Sequence, residues 1–296
     1  PINPETGKSW GWSDVADLNY DNQGLRKEMT SDMLHWVKNE NIDGFRCDVA
    51  SNVPLDFWQQ AIPQLRKEKN IFMLAEAWEP ELLKDGLFDM AYGWEAHHTM
   101  NRIAQGKNTV KDWDKFIAED AKKYEANDIL MNFVDNHDEN SWNGTIKGRL
   151  GKGEEAMTAL SYVMPGMPLI YSGNEYGLDH SLKFFEKDSI PKIKGKDWEL
   201  RAKLGKLKAE NFALHGGKNK AKYTRIKTDD DANILAFVRQ KDGKKVIYIA
   251  NFSNNPINTK IEITGEFTNY MTGKMMGLND KQVYTIQPFQ YFILTN

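Results

Sequence analysis

The sequence predicts an α/β fold followed by an all-β region, and two observations carry this prediction. Short apolar runs alternate with segments of helical periodicity over roughly the first 214 residues. Such alternation is typical of a parallel sheet covered by helices. After Gly216 and Gly217 the helical signal disappears, and short strand-like runs joined by turn residues follow.

The helices and strands of the first part are predicted from the period of their apolar residues. Helices are predicted at 24–40, from Pro54 onward, and at 110–124, 154–163 and 197–214. Strands are predicted at 42–48, 71–75, 87–92, 129–134 and 169–171. Pro54 suits the first position of its helix, where the missing N–H is not needed. Residues 1–23, rich in Pro, Gly, Asn and Asp, are predicted to form a loop.

The last part of the chain is predicted to be a small antiparallel β-sandwich. Strand-like runs occupy 234–238, 246–249, 257–263, 283–286 and 291–294. The first two are joined by Lys-Asp-Gly-Lys at 241–244, which is a strong hairpin signal. The predicted domains are therefore residues 1–217 and residues 218–296.

Composition narrows the class of protein. The chain has 296 residues, of which 40 % are apolar and 27 % charged, as in ordinary globular proteins. A net charge of −3 argues against nucleic-acid binding through phosphate contacts. The basic stretch 183–196 is interrupted by acidic residues and a proline, and we expect a solvated loop there. No apolar run approaches the ~20 residues of a membrane span. The single cysteine, Cys47, is predicted to be a buried thiol.

Three predicted strands end at a carboxylate: Asp48, Glu76 and Asp138. Because the C-terminal ends of parallel strands share one edge, these groups are expected to converge. A retaining glycosidase needs one carboxylate as nucleophile and one carboxylic acid as proton donor, ~5–5.5 Å apart. Arg46 lies two residues before Asp48, so both side chains point to the same face, where Arg46 can hold Asp48 ionised. His137 can donate to substrate hydroxyls.

Five motifs resemble those of one known family, the α-amylase family of glycoside hydrolases. The run GFRCD at 44–48 resembles its nucleophile motif, AE at 75–76 its acid/base strand, and FVDNHD at 133–138 its transition-state-stabiliser motif. DLN at 17–19 and GMPLIYSGNE at 166–175 resemble two auxiliary motifs. The motifs occur in the same order as in the family. Asp48 and Glu76 are separated by the length of one strand–helix unit, and Glu76 and Asp138 by the length of two.

The resemblance implies a role for each residue. Asp48 is expected to be the nucleophile, Glu76 the acid/base and Asp138 the stabiliser, with Arg46 and His137 contacting the sugar. It implies a retaining hydrolase of α-linked glucans such as starch and maltodextrins, which needs no cofactor for its chemistry. It also implies a (β/α)8 TIM barrel followed by a C-terminal β-sandwich.

The predicted strands account for only part of such a barrel. Five are found, corresponding to about strands 4 to 8, so we expect the C-terminal portion of a longer protein. Such a portion is expected to be inactive alone because part of the sugar pocket is missing. Calcium binding stays open, since the family's usual ligands lie partly in the missing segment. Pairing with another copy or with an N-terminal piece stays open, as does localisation.

Several alternatives also stay open. Ser51 and Asn52 replace a Lys-His pair found in many members, so leaving-group specificity is undetermined. Bond type, α-1,4 or α-1,6, and endo or exo mode are equally open. A transglycosylase would use the same catalytic residues. A non-catalytic binding or scaffold relative would have lost the carboxylates, whereas all three are present here.

Tryptophans and histidines supply further candidates. Trp78, two residues after Glu76, is predicted to contact sugar. Trp36, Trp58 and Trp113 lie on predicted helix faces and are assigned to the core, whereas Trp10, Trp12 and Trp142 are placed in loops. His97 and His98 are adjacent and could be considered as ligands of one metal ion. Adjacent residues on a helix point ~100° apart, however, so a shared ion is not expected. No metal site is predicted.

Overall fold

The computed structural model describes residues 2, 6–12 and 14–296, and the chain divides into two compact units, 1–91 and 92–296. It confirms the α/β class, with parallel strands and a C-terminal antiparallel region. Before Gln23 the described residues form only an isolated bridge between Ile2 and Ser9, which agrees with the predicted loop. Pro1 and Pro4, on which the loop prediction partly rests, lie outside the described residues.

The first unit alternates helices with parallel strands. Its elements are α1 (Gln23–Lys38), β1 (Gly44–Cys47), α2 (Leu55–Glu68), β2 (Phe72–Ala75) and β3 (Met90–Tyr92). The last residue of β3, Tyr92, already belongs to the second unit. Short 3-10 helices occur at Ala50–Asn52 and Pro80–Leu83. β1 pairs in parallel with β2, and β2 with β3. Pro54 is the N-cap of α2 and not its first residue.

Helix α2 buries one apolar face, although Leu55, whose spacing also assigned it to that face, is 37 % exposed. Phe57, Ile62 and Leu65 are fully buried, and Trp58 is 5 % exposed. The guanidinium of Arg26 on α1 donates to both carboxylate oxygens of Asp56, at 2.8 and 3.2 Å. This two-pronged contact ties the first turn of α2 to α1.

The second unit begins with helices around a short parallel strand pair. Its elements are α3 (Trp94–Ala104), α4 (Val110–Lys123), β4 (Leu130–Asn132), α5 (His137–Trp142), α6 (Ile146–Leu150), α7 (Glu154–Val163), β5 (Met167–Pro168) and α8 (Lys196–Glu210), with 3-10 turns at Gly151–Gly153, Asn174–Tyr176, Phe212–Leu214 and Gly217–Asn219. β4 pairs in parallel with β5.

The predicted strand at 169–171 is displaced, because strand pairing occurs at Met167–Pro168. Leu169 makes one further hydrogen bond, to the Asn132 carbonyl at 2.8 Å, before the chain turns toward Gly173. The predicted helix 197–214 ends at Glu210. The segment 177–195 contains no helix or strand. This agrees with the loop predicted at 183–196, except that Lys196 is the first residue of α8.

The C-terminal strands form an antiparallel region. They are β6 (Lys222–Arg225), β7 (Ile234–Lys241), β8 (Lys244–Asn251), β9 (Ile257–Thr259), β10 (Gly265–Asn269), β11 (Met275–Leu278), β12 (Tyr284–Ile286) and β13 (Tyr291–Thr295). Six of them form one sheet in the order β11-β10-β13-β8-β7-β6, and β9 pairs with β12. The predicted hairpin is confirmed: Asp242 and Gly243 both have positive φ, as a two-residue turn requires.

Alternate residues of this sheet enter two different cores. Phe237 and Tyr248 belong to the core shared with α3, α4, α7 and α8, whereas Ala236 and Ile247 pack with β10 and β12. The Tyr248 hydroxyl donates to the Ala156 carbonyl on α7 at 2.7 Å. The sheet is therefore covered on both faces within the second unit.

Gly44 is predicted to be indispensable to the β1–β2 pairing. It has φ of +154°, and a Cβ there would lie 1.8 Å from the Phe72 carbonyl oxygen. Gly44→Ala should lower the free energy of unfolding by more than about 2 kcal/mol, measured by urea titration. Gly205→Ala is the matched control. It lies inside α8 with open space at its Cβ position, so it should stabilise by about 0.5–1 kcal/mol. Equal effects at the two positions would contradict the steric argument.

Candidate active site

Arg46, Asp48 and Glu76 form a charged cluster in the first unit. In the parallel register Cys47 lies opposite Ala75, so the residues that follow, Asp48 and Glu76, leave adjacent strand ends. The guanidinium of Arg46 donates to Asp48 Oδ1 and contacts Glu76 Oε1 at 3.0 Å. One cation thus bridges two carboxylates that would otherwise repel each other.

Glu76 is held more tightly than Asp48. Its Oε2 accepts the Val49 backbone N–H at 2.7 Å, and its side chain is 14 % exposed. The Asp48 side chain is 72 % exposed. The cluster therefore offers one fixed, largely enclosed carboxyl group and one that is open to a ligand.

Val49 adopts a left-handed conformation, with φ of 42° and ψ of 48°. This backbone is unfavourable for a β-branched residue and costs on the order of 1–3 kcal/mol. The strain occurs directly after Asp48 and aims the Val49 N–H at Glu76. No sequence signal marks it, because a valine is not expected at such a position.

Trp78 and Cys47 are the remaining first-unit candidates, and the sugar contact predicted for Trp78 stays a prediction. Trp78 is 51 % exposed two residues after Glu76. Cys47 is buried, and burial raises the pKa of its thiol to about 12. Cys47 is therefore a packed thiol and not a nucleophile.

His137 and Asp138 are the first two residues of α5 in the second unit. Asn136 caps this helix, with its side-chain oxygen accepting the Glu139 N–H at 2.8 Å. His137 Nε2 lies 3.3 Å from Asp138 Oδ2, and the two side chains are 44 % and 36 % exposed. An imidazole and a carboxylate are thus presented together to solvent.

Beneath this helix start lies a buried charge network that the sequence did not reveal. His97 Nε2 is 3.0 Å from Glu139 Oε2, and its Nδ1 lies 3.1 Å from the Phe133 carbonyl. Arg149 pairs with Asp135 at 2.7 Å. Buried charges require such partners, so the network fixes the start of α5.

The network shifts the pKa values of its carboxyl groups in opposite directions. Burial alone would raise the pKa of Glu139, but hydrogen bonds from His97 and Asn143 and the charge of Arg149 lower it to about 2. Burial raises the pKa of Asp135, and Arg149 counteracts only part of that rise. Glu139 is therefore the ionised centre of the network.

No metal centre is found within the described ranges, where no three His, Cys, Asp or Glu residues are placed to hold an ion. His97 is engaged by Glu139 and Phe133, and burial lowers the pKa of its neighbour His98. A membrane-crossing helix is likewise absent from the described part of the chain, because no helix there combines the necessary length and apolarity.

Comparison with known proteins identifies the family. Residues 10–242 match the model described as "Alpha amylase, catalytic domain", so the chain belongs to the α-amylase catalytic-domain family.

Two curated relatives are amylases. The alpha-amylase MalA of Haloarcula japonica is 21 % identical over 289 residues, covering 93 % of this chain and 40 % of the relative. An intracellular maltogenic amylase of Bacillus subtilis is 25 % identical over 314 residues, covering 96 % of this chain and 50 % of the relative. The chain thus spans about half the length, or less, of these relatives.

A third relative carries a different name. A 4-alpha-glucanotransferase of Thermotoga neapolitana is 28 % identical over 174 residues, covering 55 % of this chain and 37 % of the relative. Among solved structures, the noncanonic maltogenic alpha-amylase AmyB from Thermotoga neapolitana has a TM-score of 0.84 at 23 % identity, covering 96 % of this chain and 68 % of that one. This likeness establishes the fold.

The low pKa of Glu139 predicts an acid-sensitive contribution to stability. Because the folded pKa is about 2 and the ordinary value is 4.5, the contribution is fully present above pH 4.5 and is lost as the pH falls toward 2. Glu139→Gln should therefore destabilise the protein more at pH 7 than at pH 3 in urea titrations.

The matched control is Glu119→Gln, on the exposed surface of α4. It should change the free energy of unfolding by less than about 0.5 kcal/mol at both pH values. An identical loss for Glu139→Gln at pH 7 and pH 3 would show that the carboxylate charge is not what stabilises the fold.

Proposed function

We propose that this chain supplies the catalytic carboxylates of a retaining glycoside hydrolase that acts on α-linked glucans such as starch and maltodextrins. The observation that carries the proposal is the Arg46 bridge between Asp48 and Glu76 at adjacent strand ends. Membership of the α-amylase family and the amylase relatives support the substrate class.

In the proposed first step Glu76 protonates the glycosidic oxygen while Asp48 attacks the anomeric carbon. The glycosidic bond breaks and a glycosyl–Asp48 ester forms. In the second step Glu76 removes a proton from water, which releases the sugar and regenerates both carboxyl groups. Both steps use only carboxyl groups and water, so the chemistry requires no cofactor.

The local geometry supports this division of roles. Asp48 is open to solvent, and its Oδ1 accepts from Arg46, which orients the nucleophile. Glu76 is enclosed and anchored through one oxygen by the Val49 N–H, which fixes its direction. An acid/base group must hold such a fixed position through two proton transfers.

We assign the sugar contacts to three further residues and to Arg46. Asp138 accepts hydrogen bonds from sugar hydroxyls and acts most strongly in the distorted transition state. His137, beside it on α5, donates to hydroxyls, and Trp78 offers an exposed ring for stacking.

The finer fold assignment is part of the same proposal. Strands β1 to β5 are assigned to about strands 4 to 8 of a (β/α)8 barrel, with residues 1–217 forming its C-terminal part and 218–296 an antiparallel sandwich domain. The parallel pairings β1–β2–β3 and β4–β5 and the C-terminal antiparallel sheet support this assignment.

Transglycosylation is the second candidate, favoured by the glucanotransferase relative. A sugar hydroxyl would then replace water in the second step. Product analysis with and without an added acceptor sugar separates the two, because only a transglycosylase forms chains longer than its substrate. A non-catalytic binding or scaffold role is disfavoured because all three carboxylates are present.

Asp48→Asn in the full-length protein should lower starch hydrolysis by at least about a thousandfold, because an amide cannot form the covalent intermediate. Release of reducing sugar measures the rate. Asp43→Asn is the matched control, since Asp43 precedes the opposite end of β1 and its side chain is 93 % exposed. Wild-type hydrolysis by Asp48→Asn would overturn the nucleophile assignment.

A further inference from the structure

Three neighbouring aromatic rings lie exposed on the second unit: Trp142 at the end of α5, and Phe184 and Phe185 in the segment 177–195 before α8. They are 59 %, 45 % and 74 % exposed. The ring centroids of Trp142 lie 4.9 Å from Phe184 and 6.4 Å from Phe185, and those of Phe184 and Phe185 lie 4.8 Å apart. We call this cluster the aromatic platform. Trp142, predicted in a loop, is thus helical.

The loop that carries Phe184 and Phe185 is hydrogen-bonded to α5 and to itself. The buried Asn140 side chain accepts the Leu182 N–H at 2.8 Å and donates to the His180 carbonyl at 3.3 Å. Asp188 accepts the Lys183 N–H at 3.1 Å and the Ser189 N–H at 2.7 Å. The rings are therefore held outward by hydrogen bonds, and a contiguous exposed apolar patch of this kind marks a binding surface.

The aromatic platform is continuous with the residues assigned to sugar binding. A cavity of about 310 Å³ is lined by Phe184 and also by His137 and Tyr171. His137 directly precedes Asp138 and lies 3.3 Å from its carboxylate. A ligand that contacts His137 can thus extend along this cavity to Phe184, and from there across the neighbouring rings of Trp142 and Phe185, which lie outside the cavity lining.

The other residues that line this cavity indicate which class of ligand it suits. The cavity is also lined by Ser141, Lys183, Glu186 and Asp188, which bring hydroxyl, ammonium and carboxylate groups to the same wall as Phe184. A sugar chain presents apolar ring faces for stacking and hydroxyl edges for such polar groups. An apolar protein segment would instead remove the Lys183–Glu186 ion pair, 2.7 Å between Nζ and Oε2, from water without adding hydrogen bonds to it.

We propose that the aromatic platform is a sugar-binding site that holds an α-glucan chain away from the point of cleavage and so favours long substrates. The inference rests on the proposed function, since it takes the same glucan to extend from His137. It assigns to Trp142 and Phe185 a role in chain-length preference and not in bond cleavage.

The test uses Trp142→Ala and Phe185→Ala in the full-length protein. The ratio of kcat/KM for maltoheptaose to that for maltotriose should fall about tenfold, the effect of losing one stacking contact of about 1.4 kcal/mol. Trp36→Ala is the matched control, because Trp36, whose predicted place in the core is wrong, is 53 % exposed on α1 in the first unit. It should leave the ratio unchanged.

Calorimetric titration with maltoheptaose supplies a readout besides cleavage. Both variants should bind it about tenfold more weakly than wild type. If the kcat/KM ratio and the affinity for maltoheptaose were both unchanged in the variants, the inference would be overturned. It would also be overturned if the variants changed their oligomeric state and kept their affinity, because the platform would then be a self-association surface. A wild type that binds maltoheptaose through Trp142 but cleaves no α-glucan would refute the proposed function and leave the platform standing.

Discussion

The parallel pairing of β1 with β2 is the constraint on which the first unit and its charged cluster depend. Its register places Cys47 opposite Ala75, so Asp48 and Glu76 emerge side by side. Two carboxylates so placed repel each other, and Arg46, contacting both, offsets that repulsion. The register itself requires Gly44, because any side chain there would collide with the Phe72 backbone. A backbone constraint at one end of β1 therefore governs the geometry of the charged cluster at the other.

The second unit fixes its exposed groups in a different way, by burying charge beneath them. His97, Glu139, Arg149 and Asp135 satisfy one another below the first turn of α5. Removing one member would leave a buried charge without its partner, which is far more costly than losing a surface ion pair. The start of α5 therefore has little freedom, and His137 and Asp138 keep their directions. Two residues further along, Asn140 extends the same rigidity to the loop that carries the aromatic platform.

Periodicity located many of the strands and helices, whereas it missed α3, α5, α6, β6, β10 and β11. α3 was not predicted because its buried face includes His97, Thr99 and Asn101, polar residues that hide an amphipathic pattern. The strand at 169–171 was misplaced because an apolar run shows where the chain is buried, whereas pairing depends on the neighbouring strand. The candidate carboxylates were found because motif order is a property of the sequence. Val49 and the charge network were not found, because strain and burial arise from contacts distant in sequence.

The amino-acid sequence was enough to predict the alternation of strands and helices, the antiparallel C-terminal region, the family and the identity of the candidate carboxylates. These depend on local periodicity, turn residues and short motifs, which the chain carries regardless of its packing. Three features came from the folded chain alone: Arg46 bridges Asp48 and Glu76, Val49 is strained where its N–H reaches Glu76, and Trp142 meets Phe184 in an exposed cluster. Each of these depends on strand register or loop anchoring, which bring together residues separated by tens of positions and leave no mark on local composition.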